Sequence, residues 1–261
     1  MQLWTIPHFI YILSPFIILC VLYFTLRHKS EKTKYIVGAV IGALSLFVIT
    51  VRMISYFVDY GFRPHGLPIQ LCHFGNIVIF ISLVFKSKSF ACLGFGLHLF
   101  PAMFSIVYAE SLTFYTFFYL RAQCYMWGHL LIVVGAIYPV MLKTIKFDRK
   151  SLRNAFFVMF ALAIVSFFLN SLFNVVYDYG VNYFNLFAPD AFPLYKLIYR
   201  ADYNVIYGGW LQVNWIYNIG VILYHSLLVI IFYFLEKLFY LKNKDYKTLN
   251  IFEERKLKMQ K

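Results

Sequence analysis

The sequence predicts an all-α, polytopic membrane bundle of about seven transmembrane helices, with its N-terminus outside and its C-terminus cytoplasmic. Three observations carry that expectation. Apolar runs near 6–26, 35–57, 69–85, 90–107, 124–142, 154–176 and 213–235 are mostly long enough for about 20 helical residues to cross a bilayer. Basic residues alternate with those runs: of 24 Lys and Arg, 19 lie in the stretches after the first, third, fifth and seventh. Lys and Arg accumulate in cytoplasmic loops, so those four stretches face inside. Finally, 62% of the residues are hydrophobic and 21% aromatic, more than a soluble domain carries and suited to lipid-facing surfaces and interfacial belts.

A formal charge of +13 would suggest nucleic acid in a soluble protein. Here the cations sit in short cytoplasmic loops and a tail, where topology and anionic lipid account for them, and no nucleic-acid partner is expected. Residues 1–236 read as one seven-span membrane domain and 237–261 as a basic cytoplasmic tail, placing the chain in the cell membrane as a multi-pass protein. Cys20, Cys72, Cys92 and Cys124 all fall in or at the ends of spans without a CxxC pair, so a disulfide framework is not expected.

The first run has no charged segment before it and no small-residue cleavage site after it, and reads as a retained span. The second carries Arg52 near its outer end. A guanidinium fork suits a lipid phosphate or an anionic substrate, and it can equally snorkel to the interface.

The third span begins His65-Gly66-Leu67-Pro68-Ile69-Gln70-Leu71-Cys72-His73-Phe74-Gly75-Asn76. Pro68 suits the first turn of a helix, where its missing N–H costs nothing. Cys72 then lies about one turn inside the outer interface, with Gly75 and Asn76 on its own face at i+3 and i+4. His73 points about 100° away around the helix. A buried cysteine commonly only packs. In the fourth span, His98 is nearer mid-membrane.

The fifth span begins Cys124-Tyr125-Met126-Trp127-Gly128-His129 and puts His129 at a depth matching Cys72. Ionisable residues inside spans are expensive and face the bundle interior, either bonded to a neighbouring helix or functional. A thiol needs a base or a nearby imidazolium to populate the nucleophilic thiolate, and two helices supply that pair only when depths match. His28 is a solvated cytoplasmic residue, His8 and His65 are interfacial, and His225 is too deep to meet Cys72. A zinc site from His65, Cys72 and His73 lacks recognised ligand spacing, and neither metal nor cofactor is expected.

Between the sixth and seventh spans, residues 177–212 form the longest outside segment, the length of a functional cover. It contains Asn182, a candidate oxyanion donor, although turns favour Asn without any chemistry. The chain then ends in the Lys-rich tail.

His65-Gly66-Leu67-Pro68-Ile69-Gln70-Leu71-Cys72 resembles the L-P-L-H-L-C segment of the YwaF-like integral membrane proteins, a group related to the transmembrane protein 164 acyltransferases. Gly128-His129 sits where that family has its fifth-span histidine. Asp148-Arg149-Lys150-Ser151-Leu152-Arg153 is similar to its basic loop, and Asn182-Tyr183 to its N-Y motif. The chain departs from the pattern at Gln70, where the family has histidine, and lacks its T-P motif near Val107-Tyr108 and its P-H-F-R-like stretch.

The resemblance implies a cysteine-dependent acyl transfer on membrane lipids. Together with the residues it gives the expected function: a transacylase acting on phospholipid or lipoprotein acyl chains at the outer leaflet. Cys72 and His129 are the catalytic pair, and Asn76, Asn182 and Arg52 the oxyanion or substrate contacts. Membrane lipids and a lipid or lipoprotein acyl acceptor are the expected partners. A non-enzymatic substrate-binding component of a transporter is the alternative, although paired Gly/Pro-broken helices are not evident. A membrane scaffold is a third reading.

Overall fold

A computed structural model describes residues 3–109, 118–189 and 193–241; the tail from 242 onward lies outside the described residues. Among the described residues, seven stretches are long and apolar enough to cross a membrane, as the sequence predicts. They are built from α1 (Ile6–Leu26), α2 (Glu31–Tyr60), α3 (Leu71–Val84), α4 (Lys88–Leu93) continued by α5 (Leu99–Val107), α6 (Leu120–Met141), α7 (Arg149–Ser171) and, after a short α8 (Pro193–Ile198), α9 (Trp215–Leu241).

Local chemistry sets the helix starts. Ser30 caps α2, its hydroxyl accepting from Thr33 N at 3.2 Å. Asp148 and Ser151 form a reciprocal capping box at α7, satisfying two otherwise orphaned backbone donors. One face of α2 buries Gly38, Ile41, Gly42, Ser45 and Ile49, the three-and-four spacing of a helix stripe. Small residues on that stripe let helices approach closely, which matters because lipid supplies no hydrophobic drive between spans. A methyl added to Gly42 would lie 3.3 Å from Leu83 Cβ of α3. Arg52 continues the same stripe toward the loop-rich end.

Helix α6 is the most enclosed span. It packs against α1, α2, α3 and α5 around a core that includes Tyr11, Ile79, Ile132 and Tyr138. A second core joins α4, α7 and α9 through Cys92, Phe147, Met159, Tyr217 and Val229. Buried polar groups pin the helices to one another. His8 Nε2 donates to Ile106 O at 3.1 Å, the role left to it because Trp4 N donates to Nδ1 at 3.0 Å. Glu236, fully enclosed, accepts from Phe147 N at 3.0 Å and pairs with Lys237 at 3.1 Å, tying α9 to the loop before α7.

Two spans start or continue differently from expectation. Pro68 does not open the third helix: residues Pro64–Gly66 form a 3-10 turn, and α3 begins at Leu71 after Gln70. The turn stays separate because Gly66 lies against the second span, where an added Cβ would clash with the Phe57 ring. The fourth span is interrupted by a π-helical turn at Gly94–His98 between α4 and α5. Gly96 faces α9 there, so closely that a methyl would lie 2.8 Å from Val229 Cα.

Within 177–212, the described residues 177–189 and 193–212 are structured. They hold a 3-10 turn at Tyr183–Asn185, α8 and an antiparallel hairpin of β1 (Val205–Tyr207) and β2 (Leu211–Val213), with Val205 opposite Val213. Gly208 and Gly209 both have positive φ at its tip. Asparagines hold this segment together. Asn170 and Tyr183 exchange side-chain–backbone bonds of 2.8 and 2.6 Å, and Asn218 Nδ2 donates to Leu186 O at 2.6 Å. The Tyr183 hydroxyl also donates to Pro64 O, and burial raises that phenol's pKa, so it stays a donor.

Candidate functional site

Where α2, α3 and α6 converge near the loop-rich end, they enclose a cavity of about 20 Å³, room for roughly one water. From α2 come Val48, Ile49 and Arg52; from α3, Cys72, His73 and Asn76; from α6, Cys124, Tyr125, Gly128 and His129. Four of the five residues singled out in the sequence therefore meet at one place.

The late start of α3 puts Cys72 in the helix's first turn, partly exposed, with a thiol side chain. His129 is buried one turn along α6 from Tyr125, and its Nδ1 lies 2.8 Å from the Tyr125 carbonyl. A carbonyl only accepts, so Nδ1 carries the proton and Nε2 is left with the lone pair. The Tyr125 ring, 4.2 Å from the imidazole between centroids, fixes the ring plane, while the Tyr125 hydroxyl is anchored on Ser105 O at 2.9 Å. A neutral imidazole so oriented can take a proton from a group beside it.

Asn76 is held from two sides. Ser45 Oγ donates to its Oδ1 at 2.7 Å, and its Nδ2 donates to the Cys72 carbonyl at 3.2 Å. An amide nitrogen has two N–H groups, so one remains for a ligand. Arg52 lies within electrostatic reach of Cys72, Cys124 and His129, and its guanidinium sits 6.0 Å from the Tyr56 ring centroid.

Asn182 does not line this cavity. Its Oδ1 accepts from Phe187 N at 3.0 Å and Ala188 N at 3.3 Å, and its Nδ2 donates to Ala188 O at 2.7 Å, so the amide organises a turn. His73, set aside on helical-wheel grounds, does line the cavity. A cavity enclosed by three helices can be bordered by adjacent residues about 100° apart on one of them. Sequence reasoning also missed Ser45, whose only signal was its place on the small-residue stripe of α2. His98 and His225 line other parts of the interior, His225 Nε2 sharing a 2.9 Å hydrogen bond with Tyr195. Among the described residues, no group of three His, Cys, Asp or Glu side chains is arranged to hold a metal ion.

No curated protein and no solved structure matches the chain significantly. A family description does match, over residues 3–236, which takes in six spans whole and most of the seventh. With its seven membrane-spanning helices, the chain belongs to the TMEM164 family.

Proposed function

We propose that this membrane protein is a cysteine-dependent lipid acyltransferase or transacylase, with phospholipid or lipoprotein acyl esters of the outer leaflet as donors. One observation carries the reading: Cys72 and His129, from different helices, line a single cavity, with the tautomer of His129 set for proton acceptance. His129 Nε2 takes the thiol proton and the sulfur attacks the ester carbonyl. The carbon–oxygen ester bond breaks, the departing alkoxide takes that proton, and the acyl group remains as a thioester. An acceptor hydroxyl or amine then attacks, giving its proton to His129 while the carbon–sulfur bond breaks and the sulfur recovers its electron pair. The remaining Asn76 N–H is a donor for the intermediate's oxygen.

The test is labelling with a lipid-like thiol-reactive probe, combined with lipid and lipoprotein mass spectrometry of membranes with and without the protein. Labelling at Cys72 that weakens in His129→Ala, together with an acyl shift between lipids, supports the reading. Unlabelled Cys72 and unchanged acyl profiles favour a binding component. Cysteine-accessibility mapping that reaches 177–212 and not 143–153 from outside supports the leaflet assignment.

A further inference from the structure

Arg52 is the cation of the cavity, and the structure leaves part of it unmatched. Its Nη1 is buried without a hydrogen-bond partner among the described residues. Nor does any described carboxylate lie within ion-pair distance of it. The neighbouring Arg121 also has a buried nitrogen, Nε, without a partner, but unlike Arg52 it has an acid: it pairs with Asp59 at 3.2 Å and donates to the Tyr60 hydroxyl at 2.9 Å. A guanidinium nitrogen buried without a partner is costly unless an acceptor arrives from elsewhere.

Two kinds of negative oxygen could meet it, a headgroup phosphate or the carbonyl oxygen of the reacting acyl group. Placement favours the second. Arg52 shares a small cavity, of about 20 Å³, with Cys72, His129 and Asn76, so an oxygen that meets Arg52 there lies beside the sulfur, where the carbon under attack must come.

We propose that Arg52 is the electrophilic catalytic residue of this site, balancing first the negative charge on the Cys72 sulfur and then that on the acyl carbonyl oxygen. This rests on the acyl-transfer reading. Arg52 transfers no proton: the oxygen becomes anionic as the carbon–sulfur bond forms, accepts N–H bonds from Nη1 and Asn76, and loses its charge when the ester bond breaks. A rigid, always-charged fork meets that demand better than a lysine.

The test uses the full chain in phospholipid nanodiscs, comparing wild type, Arg52→Lys and Arg52→Gln at equal folded abundance. The first arm measures alkylation of Cys72 by an apolar iodoacetamide at neutral pH, quantified on the Cys72 peptide. Arg52→Gln slows it at least about ten-fold and Arg52→Lys recovers part of the rate, since the thiolate is the reacting form. The second arm measures acyl transfer from a phospholipid ester and from a neutral monoacylglycerol ester. Arg52→Gln lowers kcat for both by a similar factor, on the order of the 10²–10³-fold seen for a lost oxyanion donor. Unchanged alkylation in both variants overturns the proposal. So does a KM increase confined to the phosphate-bearing ester, which assigns Arg52 to the headgroup. Alkylation needs no acyl substrate, so its result stands even if wild type transfers nothing.

Discussion

Ser45 donates its hydroxyl to Asn76 Oδ1 at 2.7 Å, and this bond between α2 and α3 acts with the Nδ2 bond to the Cys72 carbonyl to hold the amide in place. Ser45→Ala leaves a buried acceptor without its donor. In a membrane bundle such interhelical bonds average about 0.6 kcal/mol by double-mutant cycle, while an unsatisfied buried group costs about 1–3 kcal/mol. The expected result is a loss within that span and a Ser45–Asn76 coupling of roughly 0.5–1.5 kcal/mol, read by unfolding in detergent. Additive losses would show that the amide is oriented by something else.

Cys72→Ser exchanges a thiol for a near-isosteric but far weaker nucleophile, so the protein still inserts and folds while acyl transfer falls by orders of magnitude. His129→Ala loses about 10²–10⁴-fold, the range for a missing general base. Residues acting as one unit are non-additive, so the double variant should be little worse than either single one. The measurement is acyl transfer per unit of folded protein; equal rates for wild type and Cys72→Ser would remove the enzyme.

Gly96 and Gly94 form a matched pair for testing the close contact between the fourth span and α9. A methyl at Gly96 meets Val229 Cα at 2.8 Å, a backbone atom that cannot move alone. At Gly94 the nearest atom is Ile79 Cδ1 at 3.1 Å, the end of a flexible side chain. Gly96→Ala is expected to cost about 1–3 kcal/mol from overpacking, and Gly94→Ala clearly less. Comparable thermal stabilities in detergent for the two variants would contradict the close approach.

Asp148 lies outside the spans and carries a pH signature. The Ser151 backbone N–H, donating at 2.6 Å, holds the carboxyl below its ordinary value, with Lys88 at 3.4 Å adding to the effect. A depressed folded value means the stabilisation is present above the unfolded carboxylate value and is lost as pH falls through the folded one. Asp148→Ala is therefore expected to cost about 1 kcal/mol near neutral pH, discounted for exposure, with the difference from wild type fading below about pH 4. A difference that persists unchanged into acid would assign the loss to helix propensity.

The seven spans were legible because hydropathy and Lys/Arg placement act over whole segments. Cys72, Asn76 and His129 were legible because span position fixes depth, and Arg52 because a charge in an apolar run stands out. What was not legible depends on partners distant in sequence. Helix α3 starts at Leu71 because the preceding turn lies against Phe57 and is bonded by Tyr183. The 177–212 segment is organised by pairs such as Asn218 with Leu186, which no local pattern announces. Asn182 was chosen for its chemistry, but its turn uses the amide locally. His73 was discarded because it lies about 100° around the helix from Cys72, but a cavity enclosed by three helices is bordered by both.

The π turn at Gly94–His98 also acts on helical phase. One residue more than an α-helical turn advances the chain by about 100°, so the stripe that faces inward before the turn is not the stripe that faces inward after it. Ala91 and Cys92 pack with Phe147 and Met159, whereas Ala102 and Ile106, in the same span, pack with Tyr11 and Leu130. A single membrane crossing thereby serves two cores on different sides of itself. Deleting one residue within 94–98 would restore a regular helix and swing Ala102 and Ile106 away from α6. The irregular turn is thus the register mark that keeps both halves of the bundle aligned.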